Sequence, residues 1–204
     1  MNETPVVHTL LILCGLGFIA ELGTGSGLVY WLALWPIEFS HLGAQGGNLF
    51  HPWQLISYAF LHGSPLHLVL NMYALWLFGG PLERRWGSQQ FAFFYLICVI
   101  GAGLMHLEVG ELALNQTSNT SPVIGASGGV FGVLLAFGMR YPNVKLMMLL
   151  PPIPIKAKWF VLGYGAIELI AGITGSSSGI AHFAHLGGML TGFLLLRGSH
   201  LRFR

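Results

Sequence analysis

The chain of 204 residues contains no aspartate, only two cysteines, and just 8% charged residues. Without aspartate there is no Ser-His-Asp triad and no paired-aspartate catalytic centre. HExxH is also missing, which removes the usual helix-borne zinc hydrolase arrangement. Cys14 and Cys98 both lie in apolar runs, so neither a disulfide framework nor a thiolate metal knuckle is implied. The scarcity of charge excludes more. A soluble domain carries about 25% charged residues, and a chain that is 54% hydrophobic with so little charge could not cover a water-facing surface. A net charge of +2 with no basic, aromatic-interleaved patch gives no reason to expect nucleic acid as a partner.

What is present is apolar sequence in blocks. Six segments, 6–22, 66–80, 91–107, 123–139, 159–174 and 179–196, predict an all-α polytopic membrane bundle forming one domain over 1–204. Several are shorter than the ~20 residues of a full crossing, so some helices extend past these limits or sit in thinned bilayer. The N-terminal stretch lacks a basic n-region and a cleavage pattern, and reads as a retained first span. The long connection 23–65 is aromatic-rich and interrupted by proline, as expected of interfacial or re-entrant pieces.

Charge orients the bundle. Arg84 and Arg85 follow the second segment, Arg140, Lys145, Lys156 and Lys158 follow the fourth, and Arg197, Arg202 and Arg204 follow the sixth. The intervening connections hold Glu21, Glu38, Glu108 and Glu111 and no Lys or Arg. The positive-inside rule then makes the basic side cytoplasmic, with both termini on it.

Orientation permits a depth reading. Asn71 precedes Arg84, Ser127 precedes Arg140 and His185 precedes Arg197 by twelve or thirteen residues. At about 1.5 Å per helical residue each lies ~18–20 Å above the cytoplasmic boundary. In a hydrocarbon core of ~30 Å that level is ~10 Å below the outer surface. His67 shares the face of Asn71 one turn above it. Any one of these residues alone reads as interhelical glue, but three helices supplying Ser, His and Asn at one level point to chemistry.

Small residues complete the pattern. Gly128 and Gly132 form a close-packing stripe on the fourth segment, and Ala184, Gly188 and Gly192 form one on the sixth. If the two stripes touch, Ser127 and His185 come within hydrogen-bond reach. Ser127 also lies near a helix N-terminus, where free N–H groups favour a developing anion. A serine, a histidine base and such donors are the minimum for acyl transfer, with Asn71 and His67 as further oxyanion donors. Glu168 lies ~15 Å up the fifth segment. Pairing, or a polar contact near a gate, is expected more than a direct role in orienting the histidine.

Other histidines have ordinary readings. His41, His51 and His62 read as interfacial residues of the outer connection, and His8, His106 and His200 as polar tips near span ends. His182 and His185 could bind a metal as a pair, but no carboxylate or thiol shares their spacing. No metal or other cofactor is therefore expected.

Three motifs together resemble the rhomboid intramembrane serine proteases. They are HxxxN from His67 to Asn71 followed by the ExRxG-like Glu83-Arg84-Arg85-Trp86-Gly87, GASGGVFG around Ser127, and AHLGGMLTG from Ala184 to Gly192. The resemblance implies a six-span bundle in a bacterial inner membrane and a water-accessible cavity open to the outside. It implies cleavage of other membrane proteins' transmembrane segments near their outer ends. Ser127 is then the nucleophile, His185 the base, His67 and Asn71 the oxyanion donors, and Gly125 and Phe131 substrate-binding positions. His182 has no glycine three residues later and reads as a nearby polar contact. Some members carry Trp-Arg where this chain has Trp53-Gln54, so the arginine anchor of the first loop is missing. Phe131 stands where some members have tyrosine and can still pack on the imidazole. The alternative is a catalytically silent rhomboid-like protein that binds client transmembrane helices, against which the intact Ser127 and His185 argue. A transporter would ask for internal repeats, and none is found.

Overall fold

The computed structural model describes residues 3–37, 50–114, 122–147, 153–174 and 179–198. Glu38, His41, His200, Arg202 and Arg204 lie outside them, as does the side chain of Glu111. Most described residues are helical: α1 (Pro5–Thr24), α2 (Ser26–Leu32), α3 (Gln54–Ser57), α4 (Pro65–Ala74), α5 (Gly80–Trp86), α6 (Ser88–Leu114), α7 (Ser127–Arg140), α8 (Ala157–Ile173) and α9 (Gly179–Gly198). A short antiparallel hairpin of β1 (Lys145–Met147) and β2 (Pro154–Lys156) joins α7 to α8, with Lys145 opposite Lys156.

Local chemistry sets the helix ends. Pro5 and Pro65 occupy first-turn positions, where the missing N–H is no loss. The Ser64 hydroxyl accepts the His67 N–H at 3.1 Å and caps α4. Helix α1 has no side-chain cap of its own. Instead the buried carboxylate of Glu83 accepts the Val6 and Val7 N–H groups at 2.9 and 2.8 Å, and the Ser88 hydroxyl at 2.7 Å. One acid from α5 thus satisfies two of the orphan donors that every helix start presents.

Several segment limits differ from the sequence expectation, and α6 starts three residues before the expected 91–107 and ends seven after it. The second apolar block continues as an unbroken helical run over 65–86, joined through a π-helical stretch at Leu75–Gly79. Glu83, Arg84 and Arg85 are good helix formers that an apolar count discards. The fourth begins at Ser127, four residues after the expected start. Val123 is held extended by reciprocal backbone bonds to Leu34 at 3.0 and 3.1 Å, and Gly125 adopts φ +124. The hairpin falls where apolar patterning predicts only a connection.

The first loop is anchored despite its missing arginine. The amide of Gln54, fully buried, accepts the Trp35 and His51 N–H groups at 3.4 and 3.2 Å and donates to the Trp31 carbonyl at 3.3 Å. The Ser57 hydroxyl adds a bond to the Leu32 carbonyl at 2.7 Å.

The burial pattern is inverted relative to a water-soluble protein. On α8, Ile167, Ile170 and Ile173 are 61%, 62% and 70% exposed while Glu168 is 6% exposed. Polar side chains inside and branched apolar ones outside suit a hydrocarbon solvent. Helix α1 and the Ser88–Gly110 part of α6 are each long and apolar enough to cross a membrane.

Candidate functional site

The site begins with two helices that touch through their backbones. A Cβ on Gly188 of α9 would collide with the Gly128 carbonyl of α7. One on Gly132 would lie 3.0 Å from the Gly188 oxygen, and one on Gly192 would lie 3.3 Å from the Gly132 oxygen. The small-residue stripes therefore face each other, which is the close approach that such stripes permit.

That approach brings Ser127 Oγ within 2.8 Å of His185 Nε2. The serine is the first residue of α7 and projects beside the helix N-terminus. Phe131, one turn on, stacks flat on the imidazole with ring centroids 4.3 Å apart and planes 4° from parallel. Ser127, Phe131 and His185 line a cavity of about 620 Å³ between α4 and α8, together with His67, Asn71 and Tyr164.

His67 and Asn71 come to the opposite wall as their spacing suggests. The Asn71 amide donates one N–H to the His67 carbonyl at 3.0 Å, which fixes the side chain and leaves the second N–H available. The His67 ring lies over Gly125, where a Cβ would stand 2.7 Å from its Cε1. Gly125 is thus needed twice, for its positive φ and for this contact. It is not among the residues lining the cavity, whereas Phe131 is.

Tyr58, which the sequence did not single out, and His62, which it read as an interfacial residue, hold this wall. Tyr58 donates from its hydroxyl to the Val99 carbonyl at 2.8 Å, and its own carbonyl accepts the Gly125 N–H at 2.9 Å. It ties the turn before Ser127 to α6. His62 is packed inside the protein, 1% exposed, with its ring centroid 5.1 Å from that of His67 and its backbone N–H bonded to Glu21 at 2.9 Å. His106, expected near a span end with its tip among headgroups, is also buried. His51 stacks between Trp31 and Trp53, and His8 lies on the exposed side of α1.

Glu168 pairs, as expected, and its partners include the base itself: its Oε2 lies 2.8 Å from His185 Nδ1 and 2.7 Å from His182 Nδ1, so the direct contact with His185, the less expected reading, is made. The carboxylate is 6% exposed. A carboxylate buried on a lipid-facing helix needs donors, and α9 supplies two at spacing i, i+3. Glu168, His182 and His185 thus form a group whose ligand-type atoms lie within 4.8 Å of one another, so a carboxylate does join the two histidines. Oxygen–nitrogen separations of 2.7 and 2.8 Å are hydrogen-bond lengths. Ligands on one tetrahedral zinc ion stand about 3.3 Å apart. The geometry is that of one carboxylate oxygen accepting from two imidazole nitrogens.

Comparison with known proteins points to one family. The family model described as Rhomboid domain matches residues 49–200. The chain is similar to the mitochondrial rhomboid protein 1 of Saccharomyces cerevisiae, 32% identical over 147 residues, covering 69% of this chain and 40% of that protein. It is similar to the mitochondrial presenilin-associated rhomboid-like protein A of Danio rerio, 34% identical over 143 residues, covering 70% and 36%. It is similar to the rhomboid protease GlpG of Serratia proteamaculans, 29% identical over 196 residues, covering 94% and 61%. The chain spans less than two thirds of the length of each of these relatives.

Proposed function

The chain belongs to the rhomboid family, and from that premise we propose that it is an intramembrane serine endopeptidase that cleaves transmembrane segments of other membrane proteins near their outer ends. The observation that carries the reading is the 2.8 Å contact between Ser127 Oγ and His185 Nε2 on the wall of a cavity lined also by His67 and Asn71. In this reading residues 1–204 act as one rhomboid unit crossing the bilayer six times. The basic connections and both termini are cytoplasmic, and the membrane is a bacterial inner membrane. The unbroken helix over 65–86 and the 27 residues of α6 support full crossings by the second and third segments.

The proposed mechanism starts from that contact. A substrate helix arrives laterally between α4 and α8, where the cavity lies, and unwinds so that a backbone carbonyl reaches Ser127. His185 Nε2 takes the hydroxyl proton as Oγ attacks, and returns it to the leaving amine. The tetrahedral oxyanion is held by the Ser127 N–H, the free N–H of Asn71 and the His67 ring. Water then hydrolyses the acyl-enzyme, with His185 again as base.

The alternative is a client-binding rhomboid-like protein without catalysis. A fluorophosphonate probe separates the two in detergent. The wild-type chain should label at Ser127 and cleave at least one member of a panel of single-pass proteins, and Ser127→Ala should do neither. Asn71→Ala should lower turnover by about 10²–10³-fold, the usual loss for one oxyanion donor. Absence of labelling and of cleavage in the folded wild type would leave the binding reading in place.

A further inference from the structure

We propose that Glu168 is a positioning residue for the reaction, holding His185 in the Nδ1–H tautomer, and that His182 pins the same carboxylate, so that the reacting pair is the end of a Glu-His-Ser line. This rests on the reading of Ser127 and His185 as nucleophile and base.

The contacts form a chain of donors and acceptors. Oε2 of Glu168 stands 2.8 Å from Nδ1 of His185, and Nε2 of the same ring stands 2.8 Å from Ser127 Oγ. An ionised carboxylate only accepts, and a neutral imidazole carries one N–H. The proton therefore sits on Nδ1, and the lone pair of Nε2 faces the serine, as a base requires. When His185 takes the serine proton it becomes a cation in direct contact with a buried anion. That contact strengthens as charge develops.

The second histidine explains why the acid stays in place. His182 and His185 both present Nδ1 to one oxygen, at 2.7 and 2.8 Å. Two donors from one rigid helix fix the carboxylate against α9, the helix that carries the base. The Phe131 ring, stacked on His185, already limits its tilt. Stacking cannot choose which nitrogen holds the proton, and Glu168 supplies that choice. A purely structural account, in which the acid only ties α8 to α9, is met equally well by His182 alone. It gives no reason for the acid to meet the nitrogen of His185 opposite the serine.

The test uses the full chain in detergent with a cleavable transmembrane substrate. Glu168→Gln keeps volume and an acceptor oxygen but removes the charge. It should fold with a wild-type circular dichroism spectrum, lower kcat by about 10²–10⁴-fold and leave KM near its wild-type value. Glutamine can retain the tie and the acceptor for Nδ1–H but not the anion facing the developing imidazolium, so an unchanged kcat overturns the charge-stabilising part of the proposal, and the tautomer is read directly by NMR. Nitrogen NMR on histidine-labelled wild-type protein gives a readout that needs no variant to fold. His185 should show a protonated Nδ1 and an unprotonated Nε2, and the opposite tautomer overturns the proposal. Ser127→Ala and His185→Ala are measured alongside. If either still cleaves, the reading of the dyad fails. If both are inactive while Glu168→Gln retains full kcat, only the charge-stabilising role of Glu168 is lost.

Discussion

His62 lies in the loop before α4, yet its side chain is 1% exposed and packs against the His67 ring. Burial, reinforced by the neighbouring His67, pushes its imidazole down to about 4. An unfolded histidine titrates near 6.5. Between those values the unfolded chain binds more protons, so stability is full above about pH 6.5 and is lost as pH falls toward about 4. The unfolding midpoint in detergent should drop over that window, and His62→Phe, which keeps an aromatic ring but cannot titrate, should flatten the drop. Parallel curves for the two proteins would remove His62 as the cause. The reason this residue was not legible in the sequence is physical. Depth can be counted at about 1.5 Å per residue along a helix, but a loop has no such ruler. The partners of Glu168 were hidden differently: its height came out close to that of the dyad, but α8 is apolar on several faces and has no small-residue stripe to tell which way the acid points. Ser127 and His185 were legible because both stand beside such stripes.

At the scale of elements, the fold depends on α7 and α9 touching backbone to backbone. A Cβ on Gly188 would drive into the Gly128 carbonyl, and neither backbone can rotate aside. Gly188→Ala should therefore separate the helices, lower stability by about 1–3 kcal/mol and abolish probe labelling at Ser127. Gly163 on α8 serves as the control, because a Cβ added there would meet nothing within 4 Å. Gly163→Ala should leave labelling intact and, by the helix preference for alanine of about 1 kcal/mol, hold or raise the melting midpoint. Equal behaviour of the two variants would mean that the stripes do not set the distance between Ser127 and His185. Six helical segments were readable because apolar length is what a bilayer demands of sequence. The boundaries were not, since the start of α7 is decided by Gly125 and by the pairing of Val123 with Leu34, which joins residues far apart in the chain. The β1–β2 hairpin is invisible to patterning for a related reason: three residues per strand carry no usable alternation.

For the whole molecule, orientation in the membrane decides which end of a substrate meets Ser127. The proposed six crossings put three spans between Gly27 in α2 and Lys145 in β1, an odd number, so the two positions should face opposite compartments. Both are exposed, and both native cysteines are buried, so single introduced cysteines can be read against a low background. A membrane-impermeant maleimide should label Gly27→Cys in intact spheroplasts and Lys145→Cys only in inverted vesicles. The positive-inside rule sets the sign, because Arg84, Arg85, Arg140, Lys145, Lys156, Lys158 and Arg197 all fall in the connections assigned to the cytoplasm. Reversed labelling would keep the bundle but move the cavity mouth to the cytoplasmic face, with scissile bonds at the inner ends of substrates. Labelling of both cysteines from one face would require an even number of crossings between them. Helix α7 or the run over 65–86 would then fail to span, and the shared depth of Asn71, Ser127 and His185 would lose its basis.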